Sequence, residues 1–332
     1  MGQRIAPEND EAGGPHVPVL LDAVLAALAP LAGARIVDGT FGAGGYSRAL
    51  LAAGASVIAI DRDPHVARFA SDLRQEFPSR FNFIAGAFST LDEVVAGLPV
   101  DGVVLDIGVS SMQLDEAGRG FSFMREGPLD MRMSSQGESA ADLVNSLAEA
   151  DLANLLYAFG EERKSRRIAR TIVAARAAEP VTTTTQLARL VEKAIGRKPG
   201  DAHPATRSFQ ALRIAVNTEF DELVEGLFAA ERVLPAGGRL AVVTFHSLED
   251  RIVKRFLDPE KGGPVQSRHL PRTAVADRRW IDVAKPVKPH ADEVARNPRA
   301  RSAILRSARR SGFPSRPPSS DGLGVPMIRG AA

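Results

Sequence analysis

The sequence predicts an α/β fold in which a doubly wound parallel sheet is interrupted by an inserted all-helical domain. Short apolar strands alternate with helical segments up to residue 106, and this alternation is typical of parallel sheets. The strand pattern stops over residues 111–207 and resumes at residues 239–245. A glycine-rich turn follows the first strand, as in sheets that bind a ligand at their carboxyl edge.

The amino-terminal part is predicted to hold the first strands of the sheet. Residues 1–15 are polar and are expected to form a flexible leader, and apolar residues at helical spacing predict a helix over residues 18–28. The predicted strands are residues 35–38, 56–61, 81–84 and 102–106. They are short and apolar, as expected of strands that are buried on both faces.

The middle of the chain is predicted to be helical. We expect residues 111–207 to form the inserted domain, and residues 16–110 and 208–310 to form the sheet domain. The predicted helices are residues 140–147, 152–158, 164–178 and 186–195, with threonines at 182–185 as N-caps of the last.

The rest of the chain is expected to complete the sheet. A long helical stretch at residues 204–234 leads to the apolar strand at 239–245, and a late strand is predicted at 302–307. Residues 311–332 are rich in Pro, Ser and Gly and are expected to form a disordered tail.

The turn after the first strand reads Asp38-Gly39-Thr40-Phe41-Gly42-Ala43-Gly44-Gly45-Tyr46-Ser47. Counted from Gly42, the third glycine of a dinucleotide fingerprint would fall at Ser47, so a pyrophosphate site is not specified. The carboxylate of Asp38 would repel a pyrophosphate but attract the cationic end of S-adenosylmethionine, and a second acid, Asp61, ends the next strand. These residues indicate a methyltransferase site. The alternative is a strand-turn-helix corner whose glycines meet only steric needs.

Composition excludes several functions. The chain of 332 residues is 44% hydrophobic and contains no cysteine, which excludes disulfides, zinc-thiolate sites and a thiolate nucleophile for cytosine C5 methylation. Nothing approaches the roughly 20 apolar residues of a membrane span, and the leader lacks a signal core, so we expect a cytoplasmic protein without a membrane partner.

Positive charge is unevenly distributed. Residues 251–310 hold 16 Lys and Arg against 6 Asp and Glu, whereas the whole chain has a net charge of only +2. Such a segment favours a polyanionic partner or is simply a solvated surface. Two groups are candidates for phosphate contacts on two sides of the cofactor crevice: Arg163, Lys164, Arg166, Arg167 and Arg170, and then Arg296, Arg299, Arg301, Arg306, Arg309 and Arg310.

A set of long motifs in fixed order resembles the bacterial RsmH (MraW) family of small-subunit rRNA cytosine-N4 methyltransferases. The resemblance covers all but the two termini. The motifs are His16-Val17-Pro18-Val19-Leu20-Leu21, the glycine turn, Asp61-Arg62-Asp63-Pro64, Asp106-Ile107-Gly108-Val109-Ser110-Ser111-Met112-Gln113-Leu114-Asp115, Arg119-Gly120-Phe121-Ser122-Phe123, Gly127-Pro128-Leu129-Asp130-Met131-Arg132-Met133, Gly160-Glu161-Glu162-Arg163, His203-Pro204-Ala205-Thr206-Arg207, Phe209-Gln210-Ala211-Leu212-Arg213-Ile214-Ala215-Val216-Asn217, Phe245-His246-Ser247-Leu248-Glu249-Asp250-Arg251 and Asn297-Pro298-Arg299-Ala300-Arg301-Ser302-Ala303.

The resemblance implies a Rossmann-like class I methyltransferase sheet that binds S-adenosylmethionine. It implies N4-methylation of a specific cytidine in the decoding region (P site) of 16S rRNA within the small ribosomal subunit, with the inserted domain recognising the substrate. The cofactor-binding residues that it implies are Gly44, Gly45, Tyr46, Asp61, Phe88, Asp106 and Gln113. We expect Asp61 to accept from the ribose hydroxyls and Phe88 to pack on the adenine. Tyr46 replaces the histidine usual in the family, and we expect its contact to be made by the backbone.

The catalytic residue stays unassigned. The exocyclic amine of cytosine is a poor nucleophile and needs hydrogen-bond acceptors, which Asp106, the carbonyls of Ile107 and Gly108, and Ser110 can supply. Asp106 is equally a cofactor contact, and Ser110 is equally a cap for the next turn.

Two aromatic residues and two histidines have alternative roles. Phe121 and Phe123 are suited either to stack on a flipped base or to pack the inserted domain on the sheet. The histidines lack the spacing of metal ligands, so no metal is expected; His203 invites a catalytic role, and His246 is the better candidate, at the carboxyl end of a strand. Alternative functions are methylation of DNA cytosine at N4 and a non-catalytic RNA-binding role in ribosome assembly.

Overall fold

A computed structural model describes residues 18–134, 136–197, 200–258 and 278–328. The predicted leader, residues 1–15, lies outside these ranges, as do His16 and Val17 of the first motif. The strands are β1 Arg35–Asp38, β2 Ser56–Asp61, β3 Phe81–Ala85, β4 Gly102–Asp106, β5 Arg239–Thr244, β6 Trp280–Ile281 and β7 Ile304–Arg310. The α-helices are α1 Leu21–Leu28, α2 Gly45–Ala52, α3 Ala67–Glu76, α4 Leu91–Val95, α5 Ser111–Asp115, α6 Ala140–Ser146, α7 Glu149–Gly160, α8 Ser165–Arg176, α9 Thr184–Ile195, α10 Thr206–Val216, α11 Glu219–Val233, α12 Ser247–Leu257 and α13 Ala291–Arg296.

The predicted doubly wound sheet is confirmed. The strand order is β3-β2-β1-β4-β5-β7-β6, in which β1 to β5 are parallel and β7 runs antiparallel to β5. The chain first moves outward from β1 to β3 and then returns to the other side of β1 with β4. The order of the strands therefore reverses between β1 and β4, which opens a crevice at their carboxyl ends.

Two hydrophobic cores cover the two faces of the sheet, because successive strand residues point to opposite sides. On one face Val37, Ile60 and Leu105 pack with α11 and α12. On the other face Ile36 and Val104 pack with α1, α2 and α3. The parallel strands are thus buried on both sides, as their continuous apolar sequence predicts.

A third core holds the helical domain together. It joins residues of α6 to α10, with α7 packed between α8 and α10. Phe209 and Leu212 of α10 belong to this core, whereas Ile214 of the same helix packs in the core of the sheet domain. Helix α10 therefore connects the two cores directly. The residue boundaries that we expect for the domains stay a prediction.

The long helical stretch at residues 204–234 is divided into α10 and α11. Thr218 between them has a left-handed φ of 48°. Asn217 explains the break, because its side-chain amide donates to the carbonyl of Met131 (2.7 Å) and its Oδ1 accepts from the Met133 amide (2.8 Å). These bonds fix a buried asparagine against a loop that is distant in sequence, and α10 ends there.

Residues 311–328 lie along the sheet domain. Arg316 donates to Glu231 Oε2 at 2.8 Å, and Leu323 is only 4% exposed. Val325 packs on the core of the sheet domain and Ile328 on that of the helical domain. Within the described ranges, every helix is too short or too polar to traverse a lipid bilayer.

Candidate functional site

A cavity of about 440 Å³ lies in the crevice at the carboxyl ends of β1 and β4. Its walls come from the glycine turn, the ends of β2 and β4, the segment after β3, and α5. Six of the seven residues implied as cofactor contacts line it: Gly45, Tyr46, Asp61, Phe88, Asp106 and Gln113. The topology thus brings together residues that are far apart in sequence.

Gly44 is placed behind the cavity wall. Its φ of +79° lies in the left-handed region, where it precedes the first residue of α2. A Cβ atom at this position would lie 2.8 Å from both Leu73 and the Phe41 ring. The sequence therefore needs glycine here to form the turn that opens the cavity.

Asp61 closes the turn from the opposite side. Its Oδ2 accepts from the Gly42 amide (2.7 Å) and its Oδ1 from the Asp63 amide (2.9 Å). Burial raises the pKa of Asp61 above its usual value, although these amide bonds oppose the shift. The carboxylate retains acceptor capacity, since each oxygen has a second lone pair.

Asp106 lines the cavity with one buried carboxyl oxygen that has no hydrogen-bond partner among the described residues. Its Oδ1 is buried and accepts or donates no hydrogen bond within the described part of the chain. Burial, aided by the Asp38 and Glu249 carboxylates, raises the pKa of Asp106 from 3.8 to about 8. A buried polar atom without a partner is costly, so a ligand that supplies one gains affinity at this point.

Asp38 lies behind the turn, fully buried, and does not line the cavity. Its Oδ2 accepts from the Ser47 hydroxyl (2.7 Å) and its Oδ1 from the Thr40 amide (3.3 Å). Burial raises the pKa of Asp38 to about 6. The sequence suggests that Asp38 faces the cationic end of a ligand, directly or through water. In the structure the carboxylate binds the Ser47 hydroxyl and the Thr40 amide and so organises the turn.

Tyr46 points its side chain away from solvent. The ring is 4% exposed and the hydroxyl donates to the carbonyl of Val19. Burial raises the pKa of Tyr46, and the nearby Asp106 and Asp38 raise it further. Since the polar tip is used within the protein, a ligand contact by its backbone, as the sequence analysis expects, fits this arrangement.

Phe88 follows β3 and forms an apolar wall of the cavity. It packs against α11 at Gly226, where a Cβ atom would collide with the Phe88 ring. Glycine at residue 226 leaves the space that the Phe88 ring occupies against α11. A flat apolar wall beside the turn is suited to a purine ring.

Gln113 connects the cavity to a polar network that sequence reasoning missed. Its Nε2 donates to Asp63 Oδ2 (2.8 Å), and Arg119 donates to the same oxygen (2.9 Å). Burial raises the pKa of Asp63, but the hydrogen bonds from Arg119, His65 and Gln113 outweigh it, so the pKa is lowered. The motifs that contain Asp63 and Arg119 are recognisable in the sequence. The contact between the two residues is not, because 56 residues separate them.

Ser110 acts as a cap rather than as a free acceptor. Its hydroxyl accepts from the Gln113 amide (3.2 Å), while Gln113 Oε1 accepts from the Ser110 amide (3.0 Å), and this capping box starts α5. The backbone of Ile107 and Gly108 remains at the cavity wall. Of the acceptors considered from sequence, Asp106 and these two residues therefore remain.

A second polar cluster forms the far wall, and of its members the sequence pointed only to His246. Arg213 donates to both oxygens of Glu219 (2.8 and 2.9 Å), and both residues line the cavity. Behind them, His246 Nε2 lies 2.9 Å from Glu249 Oε1, and His246 caps α12. Glu219, His246 and Glu249 have ligand atoms within 4.8 Å of one another. Arg213 already neutralises the charge of Glu219. We therefore infer that this cluster holds the cavity wall in place.

The aromatic residues with two alternative roles lie in the helical domain. Phe121 is 6% exposed in its core, and the Phe123 ring is 4.9 Å from Phe209 and 4.5 Å from His203. Neither phenylalanine lines the cavity. Packing of the inserted domain, and not base stacking, is the role that these distances support.

The cavity therefore combines a glycine-rich backbone turn, an apolar wall and buried acids. Asp61 and Asp106 line the cavity and Asp38 is buried behind its turn, so the local field favours a cation over a phosphate. A cationic amino-acid end at the acids and a purine at Phe88 would satisfy the site. The individual ligand contacts of the seven residues stay a prediction.

The chain is similar to a family of methyltransferases over most of its length. The profile of the MraW methylase family matches residues 13–311. Ribosomal RNA small subunit methyltransferase H of Cereibacter sphaeroides is 60% identical over 318 residues, 95% of this chain and 96% of the relative. Its counterpart in Chelativorans sp. is 58% identical over 95% of this chain and 93% of the relative. A solved precorrin-6y C5,15-methyltransferase of Geobacter metallireducens has a TM-score of 0.39 and 10% identity, covering 88% of each chain.

Proposed function

The chain belongs to the MraW methylase family, and on that basis we propose that it methylates RNA of the small ribosomal subunit. The observation that carries the proposal is the identity with curated relatives of that function along nearly the whole of both chains. Loops and walls of the cavity fall within the matched region. Such RNA is the expected partner, and the cytoplasm, where it is assembled, is the expected location.

The finer proposal is N4-methylation of a specific cytidine in the decoding region (P site) of 16S rRNA. It is supported by the resemblance of the long motifs to the family that performs this reaction. It agrees with the lack of cysteine, because C5 methylation ordinarily proceeds through a cysteine nucleophile.

S-adenosylmethionine is the methyl donor that the residues present fit. The inner end of the cavity holds Asp106 with an unsatisfied buried oxygen, which a cationic ligand would stabilise. The donor supplies a methyl group on a positively charged sulfur. Dinucleotides fit less well, because their pyrophosphate would meet Asp61 and Asp106 across the turn.

In this proposal the chain binds and orients the two substrates. Backbone of Gly45 and Tyr46 approaches the amino-acid end of the donor, and Gly44 shapes the turn behind them. Phe88 packs on the adenine, and Asp61 accepts from the ribose. Gln113 holds α5 against the site through Asp63. Proximity and orientation of a weak nucleophile account for a large share of the rate in such a reaction.

The target amine requires hydrogen-bond acceptors in the cavity wall. Ile107 and Gly108 follow Asp106 in this wall, and Glu222, Arg213 and Glu219 also line the cavity. Acceptors aligned with the amine hold its lone pair toward the methyl group and receive the proton lost. Water and this wall share that role, and no single side chain is assigned as the catalytic base.

The test is transfer of labelled methyl from S-adenosylmethionine to small subunits from a strain lacking this gene, followed by nucleoside analysis. We expect N4-methylcytidine at one position. Phe88→Ala should reduce transfer and cofactor affinity, whereas Phe313→Ala, which removes a ring exposed by 40% outside the cavity, should not.

Two results would contradict the proposal. Transfer to DNA cytosine in preference to small subunits would identify a DNA methyltransferase. Failure to bind S-adenosylmethionine by calorimetry, together with retained affinity for small subunits, would identify a non-catalytic assembly factor.

A further inference from the structure

A second, larger cavity of about 1530 Å³ lies between the helical domain and the sheet domain. Its walls come from α7, the start of α8, α12 and residues 324–327. Six cations line it: Arg163, Lys164, Arg166, Arg167, Arg207 and Arg251. We call this cavity the basic groove.

The positive charge of the basic groove is largely unpaired. The side chains of Arg163, Arg166 and Arg167 are exposed, and no carboxylate lies within 4 Å of them in the parts of the chain that the structure describes. Glu161 is the one acid in the wall; it accepts from the Ser247 hydroxyl (2.8 Å) and lies 3.5 Å from Arg251. Several close cations repel one another unless an anion lies between them.

An aromatic ring is exposed on the same surface. Tyr157 of α7 lines the basic groove with 62% of its surface exposed. An exposed ring among arginines gains nothing from the folded core. Cations that track a backbone and a ring that stacks on bases are the combination used to hold single-stranded nucleic acid.

The basic groove is adjacent to the first cavity, the one at the carboxyl ends of β1 and β4. Phe245 lines that cavity and Leu248 lines the basic groove, so only His246 and Ser247 separate the two in sequence. On α10, Arg213 lines the cavity and Arg207 lines the basic groove. Six residues apart, they are separated by about 9 Å along the helix axis. A chain with one base in the cavity can therefore continue into the groove.

We propose that the basic groove binds the phosphates of the RNA strand next to the methylated cytidine and that Tyr157 stacks on one of its bases. The inference rests on the proposed function for the identity of the polymer. Phosphate contacts fix the position of the strand, while selection of the cytosine stays with the cavity. RNA is favoured over duplex DNA because the stacked ring requires an unpaired base.

The test compares two triple variants of the full chain. The groove triple is Arg163→Ala, Arg166→Ala and Arg167→Ala; the control triple is Arg125→Ala, Arg189→Ala and Lys193→Ala. The control residues are exposed cations of the helical domain that do not line the groove. Both triples remove three charges, and alanine at the four of these positions that lie in α8 and α9 favours the helix.

Two measurements are made on each protein: binding of a single-stranded 16S rRNA fragment as a function of salt, and KM for small subunits. We expect the groove triple to reduce the slope of log K against log salt by about 2 and to weaken binding roughly tenfold or more. The KM for subunits should rise while cofactor affinity is unchanged. The control triple should change each value by less than about twofold.

The proposal is overturned if the groove triple binds the RNA fragment as wild type does, or if the control triple loses as much affinity. It is also overturned if the groove triple loses affinity for duplex DNA but keeps its affinity for RNA. These outcomes come from binding alone, so they are distinct from a failure of the wild type to methylate small subunits, which would contradict the proposed function.

A second comparison isolates the ring. Tyr157→Ala should weaken binding of the RNA fragment about tenfold, whereas Y157F should keep it, because stacking needs the ring and not the hydroxyl. Equal affinities of Tyr157→Ala and wild type would remove Tyr157 from the proposal, and with it the preference for single strands.

Discussion

The two arginine-rich regions of this protein differ in how their arginines are paired. In the region of β7, Arg306 pairs with Asp250 (2.6 Å), Arg299 with Asp115 (2.5 Å) and Arg309 with Asp282 (3.0 Å). Arg310 is 4% exposed and donates to backbone carbonyls. Around α8, by contrast, the guanidinium groups at 163, 166 and 167 face the groove without carboxylate partners among the described residues. The count of charges does not identify a nucleic-acid surface; the partners of each charge do.

The same distinction separates the two buried acids near the glycine turn. Asp38 has a hydroxyl and an amide as partners and belongs to the fold. Asp106 has a carboxyl oxygen with none in the described ranges and is available to a ligand. We therefore expect paired charges to affect stability and unpaired charges to affect binding.

Among the arginines that have partners within the protein, replacement of Arg310 should reduce stability the most. Replacing it with methionine leaves the carbonyls of Glu231, Arg279 and Phe313 without their donor. We expect the free energy of unfolding in urea to fall by about 3 kcal/mol. Arg166→Met is the matched exposed control and should change it by less than about 0.5 kcal/mol. A stable Arg310→Met protein with weakened RNA binding would break the comparison.

Asp106 should give the next largest effect, on the side of binding. A cationic ligand favours the ionised carboxylate, so wild-type affinity for S-adenosylmethionine should rise with pH towards the pKa of about 8 and level off above it. Asp106→Asn should remove this rise and weaken binding roughly tenfold at pH 8. Calorimetry between pH 6.5 and 9 measures both.

The unliganded protein provides an independent check on Asp106. The folded-state pKa lies above the ordinary value of 3.8, so the contribution of this group to stability is present at low pH and is lost as the pH rises to about 8. Asp106→Asn should flatten the pH dependence of the melting temperature in this window. An unchanged pH dependence in the variant would assign the effect to Asp38 or Asp61.

The Arg306–Asp250 pair should give an intermediate effect. Two parallel hydrogen bonds of 2.6 and 2.9 Å join side chains that are 14% and 18% exposed. A double-mutant cycle with alanine at both positions should give a coupling energy of about 1–2 kcal/mol in urea unfolding. Affinity for the RNA fragment should not change. If RNA affinity falls in Arg306→Ala, then this pair opens for the ligand.

The Arg299–Asp115 pair should give the smallest effect. Its side chains are 46% and 60% exposed, and solvent screens such pairs strongly. The same cycle should give less than about 1 kcal/mol and should vanish in high salt. Arg299 also lines the cavity. If Arg299→Ala changes cofactor affinity more than Asp115→Ala does, then Arg299 contributes to ligand binding and not only to the ion pair.

Much of the fold was predictable because it is encoded locally. The strands from β1 to β5 are short apolar runs, and the observed bounds differ from those predicted by at most one residue. The predicted late strand at 302–307 is shifted to Ile304–Arg310, and the predicted helix at 204–234 is broken at Asn217. Both differences come from contacts with distant segments: β7 pairs with β5, and Asn217 bonds the loop at Met131 and Met133.

The sequence alone determined the order of strands and helices, the glycine turn and the family resemblance, since each depends on residues close together in the chain. Only the tertiary structure decided which charges are free. Asp106 is left unpaired and Asp38 is satisfied because the turn folds Ser47 back onto one and not the other. Arg299, Arg306 and Arg309 pair with acids that lie 27 to 184 residues away, whereas Arg163, Arg166 and Arg167 have no carboxylate partner in the described chain. The strength of an ion pair depends on the distance between its charges in space. That distance is set only when the hydrophobic cores pack, so it cannot be read from the sequence.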